Sequence, residues 1–279
     1  MESHGHSSTI KSLAKAASAL KCFTPQALEL GTCEVSRMTG LPTTTAYRLL
    51  ITLVENGFLE RNANNGKYKI GPTLYALGSL YLTSTDLVSA AHPVVKAISE
   101  MTGEVTNVGI LFKGNNIIIL REESALSLRW SLHVGSTQPA YTTAIGKALL
   151  SELPEEELDT LYPEETLKPL TSRTVRSKTA LKLDLKQVRK TGISFSIQEA
   201  QEGIVGIASV IRDAGGKPAA AFAIGTLVYT LTAAKRERLV TLTKMSSNLI
   251  SYRLGYLGTG NPVRDINEVR SWWESNKNG

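Results

Sequence analysis

The sequence predicts an α+β protein in two unequal parts: a winged helix-turn-helix, then, past a linker helix, a larger antiparallel sheet covered by helices. Three observations carry this reading. Within the first 72 residues, three stretches of helical apolar spacing precede two short alternating runs around an Asn65-Gly66 turn signal. Beyond residue 105 the pattern changes to strand-like runs separated by turn signals, with helical stretches in the intervals. Charge divides the same way. Of the net +6, the first 72 residues hold +3 (eight Lys/Arg against five Glu), and the far longer remainder holds the other +3. A chain of 279 residues has room for two cores, and 42% apolar with 20% charged residues excludes a disordered, collagen-like or coiled-coil protein. No run approaches the roughly 18 apolar residues that cross a bilayer, and residues 1–8 lack the order of a secretory signal. The expectation is a cytoplasmic protein without a membrane part.

The first helix is read over residues 8–23 from Ile10, Leu13, Ala14, Ala17 and Leu20, with a Ser or Thr as N-cap. A short helix follows, capped by Thr32 and closed by Gly40. After Leu41-Pro42 a third helix runs over 43–56, with Gly57 as its stop. Ala46, Leu49, Leu50, Leu53 and Val54 form one apolar stripe on it, and Thr44, Thr45, Arg48, Thr52 and Glu55 form the opposite face. Runs 58–61 and 67–70 flank the turn as a β-hairpin. Two helices joined by a tight Gly-containing turn, the second polar and basic outside, followed by a basic hairpin, imply double-stranded DNA as partner. The expected contacts are Thr43, Thr44, Thr45, Tyr47 and Arg48 in the major groove. Lys67 and the tip residues Asn64 and Asn65 are expected over the backbone or minor groove.

A linker helix is read over 73–85, within a linker region 73–89, and a capped helix from Asp86 to near Gly103. Strands are expected at 105–112, 117–121, 126–134, 204–211 and 219–227, and helices at 142–153, 178–191 and 232–254. The larger domain is placed at 90–257, between a tail at 1–8 with a DNA-binding domain at 9–72 and a C-terminal extension at 258–279. In that extension Asn261-Pro262, Val263, Ile266, Val269, Trp272 and Trp273 suggest a capped amphipathic helix packed on the larger domain or on a neighbouring subunit.

Catalytic chemistry finds little support. Gly146-Lys147 lacks both the first glycine and the following hydroxyl of a phosphate loop, and no Gly-x-Ser-x-Gly elbow occurs. His92 and His133 stand alone, His4 and His6 lie in the tail, and the run Glu155 to Glu157 suits a helix start. Cys22 and Cys33 read as buried thiols, not a disulfide or a zinc pair. Neither metal nor cofactor is expected. A ligand-binding adaptor without DNA activity would suit an acidic third helix, which Arg48 among threonines opposes.

Several separated motifs resemble the isocitrate lyase regulator (IclR) family of bacterial transcription factors. They are EVSRMTGLPTTTAYRLL at 34–50, GFLER at 57–61, YKIG at 68–71, PAYTTAIGKALL at 139–150, RTV at 173–175, VRKTG at 188–192, QEAQEG at 198–203 and IA at 207–208. The resemblance spans about residues 9–256. It implies a regulator whose winged helix-turn-helix is joined by a helix to a GAF-like effector domain. It also implies dimers through the first helix and the linker helix, with tetramers through the effector domains, and most often repression of a catabolic operon, with activation the alternative.

By the same correspondence the effector cleft lies between the sheet and the helix of the Pro139 motif. The family's carboxylate, thiol and hydroxyl anchors are replaced here by Ser196, Gly206, Ala223 and Gly225. Trp130, Gln138, Ala144, Ile145, Gln198 and Ile204 complete the expected lining, and backbone amides at the start of the 142–153 helix are expected to receive a weakly anionic head. A pocket that has lost a carboxylate and a thiol is expected to take an aromatic acid or a bulky catabolic intermediate rather than glyoxylate or pyruvate.

Overall fold

A computed structural model describes residues 10–83, 86–123, 132–258 and 262–277. The chain divides into two compact units, residues 1–84 and 85–279.

The first unit has the order α1 (Lys11–Leu20), α2 (Thr32–Thr39), α3 (Thr43–Glu55), β1 (Leu59–Arg61), β2 (Tyr68–Ile70), α4 (Pro72–Thr83). Ala19 of α1, Val35 of α2, and Leu50 and Leu53 of α3 close over Leu59 and Tyr68 of the hairpin to form its core. Two caps differ from the sequence reading. The residue before α1 is Ile10 and no side chain caps that end. Thr32 lies inside α2, and the cap position is Gly31, whose N–H donates to Glu34 Oε2 at 2.7 Å. Glycine suits this site because the carboxylate folds back from the first turn onto the cap backbone, where a Cβ on residue 31 would meet its Oε2 at 3.3 Å. At the other end Gly40 takes the left-handed conformation, φ 69°, that lets the chain turn into α3. Cys22 is buried as expected, but Cys33 is exposed, because the outer face of α2 carries it.

The second unit comprises α5 (Asp86–Thr102), β3 (Val105–Phe112), β4 (Asn115–Glu122), β5 (Thr137–Pro139), α6 (Ala144–Leu150), α7 (Glu155–Leu161), α8 (Lys178–Thr191), β6 (Ser194–Ile197), β7 (Ile204–Arg212), β8 (Pro218–Leu227), α9 (Ala233–Arg253) and α10 (Ile266–Asn276). The strands form one antiparallel sheet in the order β5-β4-β3-β8-β7-β6. Strand alternation sorts its two faces. Val205, Ile207 and Ile211 of β7 join Phe222 and Ile224 of β8 in the main core with α5 and α9, while Ala208, Ala221 and Ala223 face α6.

The strand expected at 126–134 lies mostly outside the described residues. Its described end is not strand, and the edge strand begins only at Thr137. The helix expected at 142–153 is shorter, Ala144–Leu150, after a 3₁₀ turn at Ala140–Thr142. Thr143 sets this start: its backbone is extended and its Oγ1 accepts the Gly146 N–H at 2.9 Å, so the α-helix begins one residue later. In the C-terminal segment Asp265 and Glu268 form a capping box, and Val269, Trp272 and Trp273 pack on the main core. Asn261, the expected cap, is outside the described residues.

Candidate functional site

In the first unit α2 and α3 form a helix-turn-helix locked at its corner. Ser36 Oγ donates to the Leu41 carbonyl at 2.6 Å and lies 3.3 Å from Thr43 Oγ1. Ala46, Leu50 and Leu53 are buried, so the other side of α3 faces outward. Thr43, Thr44, Tyr47 and Arg48 are exposed there, Tyr47 at 48%, with Thr45 half-buried beside them.

The wing is less free than expected. Lys67 pairs with Glu34 Oε2 at 3.1 Å. Asn65 donates to Glu29 Oε2 at 2.8 Å and Asn62 to Glu29 Oε1 at 2.9 Å, while the Asn65 side-chain oxygen accepts the Lys67 N–H at 2.9 Å. Glu29 before α2 and Glu34 in its first turn therefore hold the wing through two carboxylates. Both titrate below the ordinary 4.5, Glu29 because Asn65 and then Asn62 hydrogen-bond it, Glu34 because the Gly31 N–H and then Lys67 do. Asn64 remains exposed at the tip. Sequence reasoning missed Glu29 and Glu34, since the contact joins segments more than thirty residues apart.

In the second unit a cleft opens between α6 and the sheet. It brings together eight of the ten residues expected there: Gln138, Ala144, Ile145, Ser196, Ile204, Gly206, Ala223 and Gly225. The register explains the convergence, because Ser196 pairs with Gly206 and Gly206 with Gly225 across β6, β7 and β8. Gln198 is absent from the lining. Its backbone sits at φ 59° and its Oε1 accepts the Gly203 N–H at 2.9 Å, which turns the amide into its own loop. Trp130 lies outside the described residues.

The room expected at Gly206 is also smaller than the substitution suggested. A Cβ there would meet the Ala144 Cβ at 3.2 Å, since α6 approaches the strand closely. To the centres of water-sized spheres the cleft measures about 60 Å³. Nor do the expected helix amides stand open as a set, because α6 has only seven residues and Thr143 already occupies one of its N–H groups.

Two polar residues on the cleft wall carry chemistry that sequence reasoning did not single out, Asn107 on β3 and Asn116 on β4. Arg121 Nη1 donates to Asn107 Oδ1 at 2.9 Å. A guanidinium only donates, so this contact fixes the oxygen end of the amide toward Arg121 and turns the NH₂ end to the cleft as a donor. Asn116 is 2% exposed and its Oδ1 has no hydrogen-bond partner among the described residues. An unsatisfied buried acceptor is expensive, and here it belongs to a side chain that lines the cleft. Thr143, Ile118, Leu132, Ala200 and Ile224 complete the wall. An Asn on a strand gives no periodic signal that separates a lining residue from a turn residue.

Behind the cleft Lys147 is 2% exposed. Its amine donates to Asp184 Oδ2 at 2.7 Å and Glu199 Oε1 at 2.8 Å. Burial raises the Glu199 carboxyl and Lys147 opposes the shift. The Gly146-Lys147 pair thus anchors the 198–203 loop through an ion pair. Among the described residues no group of His, Cys, Asp and Glu could hold a metal, and no helix is long and apolar enough to cross a membrane.

Two family models match the chain: the IclR helix-turn-helix domain over residues 12–63 and the bacterial transcriptional regulator IclR C-terminal domain over residues 79–252. The chain belongs to the IclR family. Its relatives include the acetate operon repressor of Salmonella typhimurium, 34% identical over 193 residues (68% of this chain, 70% of the relative). The HTH-type transcriptional regulator XynR of Escherichia coli is 30% identical over 247 residues, 88% of this chain and 98% of the relative. Among solved structures, the Thermotoga maritima IclR superposes with a TM-score of 0.67 at 27% identity, covering 89% of this chain and all of that one. An IclR homologue from Microbacterium hydrocarbonoxydans, complexed with 4-hydroxybenzoate, shares the fold with a TM-score of 0.75 at 22% identity, covering 87% and 98%. As an IclR-family member the protein is a DNA-binding transcription regulator with an effector domain, not an enzyme.

Proposed function

We propose that this IclR-family regulator represses a catabolic operon in the cytoplasm, and that a flat, mainly apolar acid bound in the α6 cleft controls its hold on the operator. The DNA contacts are assigned to Thr43, Thr44, Thr45, Tyr47 and Arg48, whose outward face on α3 supports the reading. Asn64 reaches the backbone from the wing tip, and Lys67 and Asn65 position the wing as well as adding charge. Dimerisation through α1 and α4 is supported by apolar side chains left uncovered on both, Ile10 and Leu13 on and before α1, Tyr75, Leu77 and Leu80 on α4. A tetramer would add contacts between the larger domains.

The observation that carries the effector assignment is the unpartnered Asn116 Oδ1 beside the Asn107 donor. A ligand with an acceptor group for Asn107 and a hydroxyl for Asn116 satisfies both, and an aromatic body covers Ile118, Ile145 and Ile204. A hydroxylated aromatic acid has this pattern, and the 4-hydroxybenzoate complex of the fold relative supplies a member of that class. A short oxo-acid leaves the apolar wall uncovered.

Thermal-shift titration with hydroxylated and unhydroxylated benzoates, set against pyruvate and glyoxylate, tests the assignment. A ligand at 100 times its dissociation constant adds about 2.7 kcal/mol of stability. The hydroxylated acids should stabilise most; a response to the oxo-acids alone overturns the reading. For DNA, Arg48→Ala should weaken operator binding by about 1–3 kcal/mol and relax specificity at one base. Unchanged gel shifts with Arg48→Ala and Thr44→Ala combined would remove α3 from the major groove.

A further inference from the structure

The second unit contains another cleft, of opposite character to the first. It measures about 280 Å³ to the centres of water-sized spheres, and polar groups dominate its wall. Ser151 and Glu152 after α6, Arg189 of α8, Arg212 of β7, and Lys244 and Asn248 of α9 surround it. Glu152 is the one carboxylate on this wall, and it is already paired: Arg212 donates to its Oε1 at 2.9 Å, with both side chains largely buried. Arg189 is held by neutral partners, donating from Nε to the Ser151 carbonyl at 2.7 Å and from one terminal nitrogen to the Leu153 carbonyl at 3.0 Å. These carbonyls fix the guanidinium in place without cancelling its charge. Lys244 makes no ion pair among the described residues.

Three cations against one acid leave two positive charges facing one concave cavity. A cleft lined by one sign of charge gathers the opposite ions. Fixed Arg donors, the Lys244 ammonium and the Asn248 amide form a mixed cradle for oxyanions.

We propose that this cleft is a second ligand site, specific for a small dianion carrying carboxylate or phosphate oxygens. It does not depend on what the first cleft binds. It is nevertheless joined to that cleft, because α6 lines the apolar cavity with Ala144 and Ile145 and the polar one with Ala148.

The test is thermal-shift titration of the full chain with inorganic phosphate and with succinate, each against sodium chloride at equal ionic strength and against acetate. A saturable rise in melting temperature with one or both dianions, absent with chloride and acetate, is expected, and the stronger of the two identifies the preferred oxyanion. Lys244→Gln breaks no ion pair, so it should fold normally and raise the half-saturating concentration about tenfold, the equivalent of about 1.4 kcal/mol. Asn116→Ala, in the other cleft, should leave the dianion response intact. Dianions that act no differently from chloride, or a response unchanged in both Lys244→Gln and Lys244→Glu, overturn the proposal.

Discussion

Asn116 holds its side chain where most proteins would place an apolar one. Its Oδ1 lies against the backbone of Gly109, so close that a Cβ on residue 109 would collide with it. The glycine keeps clear of the Ile117 carbonyl and admits an amide oxygen that nothing among the described residues satisfies, a local sacrifice of stability of the kind found at binding sites. Asn116→Ala should therefore leave the free protein as stable as before, within about 1 kcal/mol, because the lost group had no partner to lose. The same change should reduce the thermal shift given by hydroxylated benzoates; an undiminished shift would separate Asn116 from the ligand. Gly146 has the contrary role. A Cβ there would overlap the carbonyl and Cα of Ala140, so Gly146→Ala should push α6 off the 3₁₀ turn and lower unfolding stability by about 1–3 kcal/mol in urea.

At the scale of the element, the wing shows how a short hairpin is kept in place. Three paired residues a side cannot hold it alone. Glu29 and Glu34 fasten it to the start of α2 and the chain just before it, and their depressed pKa values fix the sign of its pH dependence. A carboxylate whose folded pKa lies below the ordinary 4.5 contributes fully above that value, and the contribution is lost as the pH falls through the folded pKa. Hydrogen exchange at the Lys67 amide, corrected for its intrinsic rate, should accelerate as the pH drops from 5 toward 3. Glu29→Gln should blunt that acceleration and weaken operator binding at pH 7 while leaving Arg48 in place; exchange indifferent to pH would deny the latch.

Long periodic elements were legible in the sequence: α3 from its stripe, α8 from Leu181, Leu185 and Val188, and the hairpin from Asn65-Gly66. The four-residue β6 and three-residue β5 were not, because so few residues show no period and their strand state comes from pairing with β7 and β4. The cleft was legible only through the family pattern. Gln198 failed because its left-handed backbone, φ 59°, redirects a side chain that spacing would have aimed inward.

At the scale of the whole molecule, two independent cores make two functions separable. One α3 reads one half-site, so useful specificity needs a second copy about 34 Å away or at a multiple of that spacing. The uncovered apolar side chains of α1 and α4, Tyr75 at 79% exposure among them, are where a second copy would gain most. Leu13→Glu combined with Tyr75→Glu should shift light-scattering mass toward the monomer and weaken operator binding far more than binding of a single half-site. A double variant of unchanged mass would overturn the proposed contact through α1 and α4. If the effector then changes operator affinity, thermodynamic linkage demands that the operator change effector affinity by the same factor, typically about 5–150-fold, or 1–3 kcal/mol. The effector Kd measured by calorimetry with and without operator DNA, beside the operator Kd with and without effector, closes that cycle. A factor well above one in both directions would locate control in an equilibrium that the two sites share. A factor of one would mean that the ligand leaves operator binding untouched, and the assignment of the α6 cleft as the control site would fall with it.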